Sequence, residues 1–185
     1  NYKFGYKGLG TAENLKRLCN EVGVETVIIP PVTYEGKIVS STSVRNLLEN
    51  GDVKSASKYL GRPFAIEGEV IKGRGLGKKL GFPTANISLD KELVLPAKGI
   101  YAVLVTWNKS IYKGVANLGT KPTFNGDDIV FEVHLFDFDG KLYGERLEVA
   151  FIQLLRPEIK FSSLEDLAIQ VLKDIVSVKE ILNTI

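Results

Sequence analysis

Residues 73–86 read GRGLGKKLGFPTAN, four glycines and three cations running into a proline held between phenylalanine and threonine. Glycine lets backbone amides come close to an anion, and Arg74, Lys78 and Lys79 add positive charge, so the stretch suits a polyphosphate. Neither common phosphate-binding signature is present: Gly77-Lys78 is followed by Lys79 where a Walker A loop needs Ser or Thr, and the dinucleotide glycine pattern fails as well. A solvated hairpin loop is the plainer alternative. Just beyond, Pro83 fixes a turn, and an extended segment after it sets the Thr84 hydroxyl and the Asn86 amide two residues apart, on one side. Both are hard oxygen donors of the kind Mg²⁺ takes when it shares the rest of its shell with phosphates and water. The same residue types also cap turns.

A second cluster lies in IVFEVHLFDFDG, residues 129–140. Strict alternation puts Glu132, His134, Phe136 and Phe138 on one face and Phe131, Val133, Leu135 and Asp137 on the other. A carboxylate sharing a face with two phenylalanines is a candidate for a partly desolvated base that orients a hydroxyl; a solvent-facing glutamate is the alternative. His134 is the only histidine. With no second histidine or cysteine to complete a site, it reads as structural.

These residues need a scaffold, and from Phe64 onward the periodicity is two. FAIEGEVIKG, GIYAVLVTW, SIYKGVANLG, IVFEVHLFDFDG and RLEVAFIQLLR are five strand-like runs rich in β-branched and aromatic residues. Asp139-Gly140 signals a hairpin turn. Antiparallel strands with no helices between them argue for a closed barrel. The C-terminal SSLEDLAIQVLKDIVSVKEIL is expected to be a helix packed on that barrel. Ser162 and Glu165 form its capping box, and Leu164, Leu167, Ile169, Val171, Leu172, Ile175 and Val178 give a broad apolar face. Upstream, the first 60 residues alternate α and β. TAENLKRLCNEV is a helix stopped by Gly23, VETVIIPPV a short strand ended by Pro30 and Pro31, and SSTSVRNLLENG and DVKSASKYLGRP two capped short helices.

A chain of 185 residues and 20.4 kDa can bury a real core without staples. Its net charge of +2 implies no nucleic-acid partner by itself, so a cationic site must be local. Cys19 is the single cysteine, which points to a reducing compartment and a packing role. No run of about 18 apolar residues and no basic-then-apolar leader occurs, so the expectation is a cytoplasmic protein without a membrane partner. The chain opens at Asn1 and has no methionine, as expected of a piece of a longer product. Nothing in it sets an oligomeric state.

GRGLGKKLGFPTAN, KGIYAV, YKGVANLGTKPTF, EVHLFDFDGKLYG and LLRPEIKFSSLEDL, in this order from about Leu60 to the C-terminus, resemble the riboflavin kinase module of bacterial bifunctional riboflavin kinase/FMN adenylyltransferases (FAD synthetases). The resemblance implies a mainly β fold: a six-stranded Greek-key barrel with a C-terminal helix, spanning residues 61–185. It implies transfer of the ATP γ-phosphate to the 5′-hydroxyl of riboflavin, giving FMN and ADP with Mg²⁺ as cofactor. By the same resemblance, Gly73, Gly75, Gly77 and Lys79 cover the nucleotide, Thr84 and Asn86 hold Mg²⁺ and phosphates, and Glu132 is the catalytic base. The NLGTKPTFNG loop with Asn117, Thr120 and Thr123, and Arg156 in LLRPEIKF, are implied to lie at the substrate. A plain strand crossover and a surface ion pair are the alternatives for the last two.

Residues 1–60 resemble the C-terminal part of the family's adenylyltransferase, an incomplete α/β nucleotidyltransferase segment. NYKFG is similar to its Asp-Phe-x-Phe-Gly stretch, with Asn1 in place of aspartate. VSSTSVRNLLENGDV is similar to its Ile-Ser-Ser-Thr-x-x-Arg motif, which makes Ser40, Ser41, Thr42 and Arg45 candidates for ATP phosphates. Helix N-terminal amides beside an arginine form a reasonable anion site; an N-cap serine and a surface arginine are the alternative. The family's His-x-Gly-His signature is absent from this chain, so FMN adenylylation is expected only of a complete protein. Two other classes remain open: a non-catalytic flavin or nucleotide sensor barrel, and a barrel that binds single-stranded nucleic acid through its basic loop, which the near-neutral charge disfavours.

Overall fold

The computed structural model describes residues 3–73, 75–90, 92–123 and 126–184; the side chains of Lys79, Pro122, Thr123 and Asp127 are also outside the description. Asn1 and Arg74 of the sequence motifs therefore lie outside the described residues, as do the side chains of Lys79 and Thr123. The chain divides into two compact units, residues 1–39 and 40–185.

In the first unit, helix α1 (Ala12–Glu21) is capped by Thr11, whose hydroxyl accepts from the Asn14 amide. The strand expected in VETVIIPPV does not form. Pro30 and Pro31 remove two ladder donors, and the ladder of this unit lies later, between β1 (Thr33–Tyr34) and β2 (Lys37–Ile38). Glu35 and Gly36 join these strands at φ 49° and 73°, the left-handed pair that matches strand twist in a two-residue hairpin.

The second unit opens with the two expected short helices. Helix α2 (Ser41–Glu49) starts at Ser40 in a capping box with Ser43. Helix α3 (Val53–Leu60) starts at Asp52 and stops at left-handed Gly61. Their Leu48, Val53 and Ala56 are buried in the barrel core, which makes these helices a plug on its end.

The barrel contains β3 (Phe64–Ile71), the one-turn helix α4 (Leu76–Lys79) in a connection, β4 (Ala85–Ile87), β5 (Gly99–Trp107), β6 (Ser110–Thr123), β7 (Gly126–Leu135) and β8 (Arg146–Arg156). All pairings are antiparallel, and the closed order is β3-β4-β7-β6-β5-β8. Strands β5, β6 and β7 form a meander, and β8 returns beside β5, which is the Greek-key arrangement. The five periodic runs appear as five of the strands. The sixth, β4, has three residues inside FPTAN, too few for periodicity to reveal.

Alternation fills the barrel with Ile66, Val70, Tyr101, Val103, Val105, Leu118, Phe131, Val133, Leu147, Val149 and Phe151. Phe151 stacks on Phe131 at 5.5 Å and meets Tyr101 edge-on at 5.0 Å. One turn expectation is corrected. The tight hairpin is at Asn108-Lys109 (φ 47° and 65°), joining β5 to β6. Asp139-Gly140 instead belongs to the 136–145 connection, because β7 and β8 are not neighbours in the barrel. The reversal at left-handed Asp137 also takes Phe138 off the Glu132 face, to pack edge-on with Trp107 and Tyr112.

Helix α5 (Leu164–Asn183) is capped by Ser163 rather than Ser162. Ser163 has the extended backbone and accepts from the Asp166 amide, while the Ser162 hydroxyl donates to the Asp166 carboxylate. Side-chain hydrogen bonds from Ser163, and then Ser162, to the Asp166 carboxylate hold its pKa below the ordinary carboxylate value. The broad apolar face divides: Ile175, Val178, Ile181 and Leu182 pack on the outside of the barrel, whereas Leu164, Ile169 and Leu172 are exposed.

The Tyr101 hydroxyl donates to the Ala97 carbonyl at the barrel end, and burial pushes its pKa up to about 12. A phenol raised above its unfolded value near 10 supports folding fully below that value and loses the contribution as pH rises through 12. Phenolate absorbance should therefore show one of the seven tyrosines ionising about two pH units late. Tyr101→Phe should remove that late step; a single transition near pH 10 for all seven would contradict the burial argument.

Candidate active site

Barrel register puts one row of residues across adjacent strands. Asn86 on β4 is opposite Glu132 on β7, Glu132 is opposite Asn117 on β6, and Asn117 is opposite Ile100 on β5, which pairs with Arg156 on β8. Their neighbours Ala85, Val133, Ala116 and Tyr101 are in the core, so the row faces outward, toward the N-terminal half of α5. Directly opposed residues have Cβ atoms about 5 Å apart. Asn86, Glu132 and Asn117 are thus side by side.

Two cavities border this row, and a third lies beside Thr84. The first, of about 290 Å³, is mainly apolar, with Ile100, Val115, Ile159, Phe161, Leu167 and Val171 among its walls and Thr84, Asn117, Glu132, His134 and Arg156 supplying polar groups. A second, of about 770 Å³, borders Gly73, Asn86, Glu132, Lys72 and Lys121. The third, of about 530 Å³, lies beyond Thr84 against Lys78, Phe138, Leu142 and Tyr143. Glu132 borders the first and second cavities, and Thr84 the first and third.

The glycines of residues 73–81 have different tasks. Only Gly75 and Gly81 need the left-handed region, at φ 70° and 92°. A Cβ on Gly73 would strike the Asn86 amide, and one on Gly77 would meet the Phe82 carbonyl oxygen at 2.5 Å and the Thr84 hydroxyl at 3.2 Å. Gly73 and Gly77 are small so that the loop can press against the two side chains that carry the oxygen donors. The other side of FPTAN is held by His134: its Nδ1–H donates to the Pro83 carbonyl over 2.8 Å, and its ring stands edge-on to Phe136. Its expected structural role thus has a definite object, the turn that precedes Thr84.

Arg156 forms an ion pair, with a partly buried guanidinium on a buried carboxylate. Its Nη2 lies 2.6 Å from Asp174 Oδ2 on α5, Nε donates to both carboxylate oxygens, and Nη1 donates to the Pro157 carbonyl. Gln170 donates to the same carboxylate. Asp174 is 5% exposed as a side chain, and the clamp fixes α5 against β8 at the cavity wall. Sequence reading missed Asp174, since an acid in an amphipathic helix carries no mark of a partner 18 residues back. It also missed Glu158, whose carboxylate lies where a Cβ on Gly119 would be. The glycine inside a strand was the available signal.

Of the remaining candidates, Thr120 is farther out on β6, opposite Ile129. Ser40, Ser41, Thr42 and Arg45 gather at the N-terminal turns of α2; Ser41, Thr42 and Arg45 are exposed, and Ser40 is occupied by its capping box.

The riboflavin kinase (flavokinase) family model matches residues 60–182. The chain belongs to the riboflavin kinase family. Among its relatives, the bifunctional riboflavin kinase/FMN adenylyltransferase of Haemophilus influenzae is 41% identical over 185 residues, covering all of this chain and 60% of the relative. That of Buchnera aphidicola is 40% identical over 190 residues, again with 60% of the relative covered. The chain thus spans about 60% of the length of these riboflavin kinase relatives. A crystal structure described as a macrolide-efflux protein from Streptococcus pneumoniae superposes with a TM-score of 0.86 at 36% identity, covering 97% of this chain and 58% of that one. Among the described residues, no helix is long and apolar enough to cross a membrane.

Replacing Asp174 by Ala leaves the partly buried Arg156 guanidinium without its partner; a fully buried pair loses about 3–5 kcal/mol in this way, and the 18% exposure of the Arg156 side chain brings the expected loss down to about 2–3 kcal/mol. Urea unfolding of Asp174→Ala should show a destabilisation of that order, and Gln170→Ala about 1 kcal/mol. A change below about 1 kcal/mol for Asp174→Ala would contradict the clamp.

Proposed function

We propose that this chain transfers the γ-phosphoryl group of ATP to the 5′-hydroxyl of riboflavin, giving FMN and ADP. The observation that carries the reading is the place of Glu132, between a mainly apolar cavity and the loop pressed against Thr84 and Asn86. Phosphoryl transfer asks a protein mostly for positioning and charge neutralisation; the row supplies the positioning on rigid strands, and Lys72, Lys78 and Lys121 in the neighbouring cavity walls supply positive charge.

In this reading the planar ring of riboflavin occupies the apolar cavity, with Phe161 and Ile159 excluding water. Its side chain then runs toward Glu132. The carboxylate orients the terminal hydroxyl and accepts its proton as the new oxygen–phosphorus bond forms and the bond to the β-phosphate oxygen breaks. Gly73, Gly75, Gly77 and Lys79 lie along the nucleotide, with Lys78 and the cavity beyond Thr84 at its far end. Asn117, Thr120, Thr123 and Arg156 belong to the substrate side, Arg156 by fixing the cavity wall.

Mg²⁺ fits the donor set, since the Thr84 hydroxyl and the Asn86 carbonyl are hard oxygen ligands. No group of three or more His, Cys, Asp or Glu side chains gathers to hold a metal among the described residues. An ion here would draw the rest of its shell from phosphates and water, and would neutralise phosphate charge.

The proposal extends to organisation. Residues 61–185 are the kinase domain, and residues 1–60 are the C-terminal part of an FMN adenylyltransferase domain, with Ser40, Ser41, Thr42 and Arg45 at its phosphate site. The whole protein would convert riboflavin to FMN and on to FAD in the cytoplasm, without nucleic-acid or membrane partners.

Incubating the chain with riboflavin, ATP and MgCl₂ and separating the flavins should give FMN without FAD, and chelation with EDTA should stop it. Glu132→Gln should lower turnover by about 10²- to 10⁴-fold with nucleotide affinity within twofold. A folded chain that binds flavin but leaves riboflavin unchanged would instead be a sensor barrel, and near-normal turnover in the variant would remove Glu132 from the role of base.

A further inference from the structure

The Asn117 side-chain oxygen, Oδ1, is buried and has no hydrogen-bond partner among the described residues. Nine or more in ten buried polar groups are paired, so an exception requires a reason. Its described neighbours in the row supply no donor. Of its cross-strand neighbours, Ile100 offers no donor in its side chain, and an ionised Glu132 carboxylate is itself acceptor-only. Arg156, in the same row, spends Nε and Nη2 on Asp174 and Nη1 on the Pro157 carbonyl. The orphaned oxygen is therefore held next to the Glu132 carboxylate on rigid strands, in a residue that lines a mainly apolar cavity.

We infer that Asn117 is a specificity-determining residue that accepts a hydrogen bond from a substrate hydroxyl next to the one that reacts, and so selects a polyhydroxylated chain over a plain hydroxyalkyl chain. The inference rests on the kinase reading and names which part of the substrate this atom recognises. Adjacent acceptors call for a ligand with donors on nearby carbons, and a polyol has that pattern: the reacting hydroxyl goes to Glu132 and a neighbour to Asn117. A site built to bond a hydroxyl discriminates strongly against an analogue lacking it, because its own polar group is then left unpaired. In the free protein the unpaired oxygen is a cost to folding, so its removal predicts a gain in stability together with a loss of selectivity.

The test is Asn117→Leu, which keeps the branching at Cγ and removes the acceptor. Flavin fluorescence would report binding of riboflavin, of an ω-hydroxyalkyl flavin bearing only the terminal hydroxyl, and of lumiflavin, which has no side-chain hydroxyl. Wild type should prefer riboflavin over the hydroxyalkyl flavin by about tenfold, the worth of one such bond. In the variant that ratio should fall to near one with lumiflavin affinity unchanged, and the ligand-free melting temperature should be equal or higher. Asn117→Ala repeats the comparison should leucine distort β6. An undiminished preference for riboflavin in both variants would overturn the assignment, as would an equal loss of all three ligands with a lowered melting temperature, which marks a structural asparagine. Wild-type protein that bound no flavin would instead overturn the kinase reading on which the inference depends.

Discussion

Closure of the barrel is the constraint on which the site depends. Six antiparallel strands joined edge to edge leave no free edge and no freedom of register. The register of β4, β7 and β6 puts Asn86, Glu132 and Asn117 abreast. A slip of one residue in β7 would turn Glu132 into the core and Val133 out to the cavity. The stacked Phe131 and Phe151 inside the barrel oppose such a slip. The aromatic core thus fixes where the carboxylate stands.

The same logic accounts for the juxtaposition of a glycine-rich, cationic loop and a rigid Phe-Pro-Thr-Ala-Asn. The rigid half becomes the short strand β4, held by ladder bonds to β3 and β7 and by the His134–Pro83 hydrogen bond. The permissive half must lie close against it, and side chains at residues 73 and 77 would prevent that. Glycine therefore serves close contact within the protein as well as access for an anion. On the opposite wall, the partly buried Arg156–Asp174 pair ties α5 to β8. Loop, row and helix are thereby fastened to one barrel by three kinds of interaction.

Much of this was legible in the sequence. Period-two alternation marks β3, β5 and β8 nearly to the residue, and capping chemistry places α1, α2 and α3. What escaped depended on partners distant in the chain. VETVIIPPV has strand composition but no ladder, and Asp139-Gly140 has turn chemistry but no adjacent strands to join. Ser163 took the cap from Ser162 through backbone conformation alone. At the site, Thr84, Asn86 and Glu132 were visible as residue types that hold oxygen ligands and protons. The orphaned Asn117 oxygen, the Asp174 clamp and the Glu158–Gly119 contact arise only when strands and helix are assembled.

The central claim, that flavin and nucleotide approach Glu132 from opposite sides, is tested most directly by a crystal structure of the chain with riboflavin, a non-hydrolysable ATP analogue and Mg²⁺. The account predicts the flavin ring against Ile159 and Phe161, its terminal hydroxyl about 2.6–3.2 Å from the Glu132 carboxylate, and the phosphates along Thr84 and Asn86. A flavin bound outside the apolar cavity, or phosphates on the side of β7 away from Asn86, would contradict it.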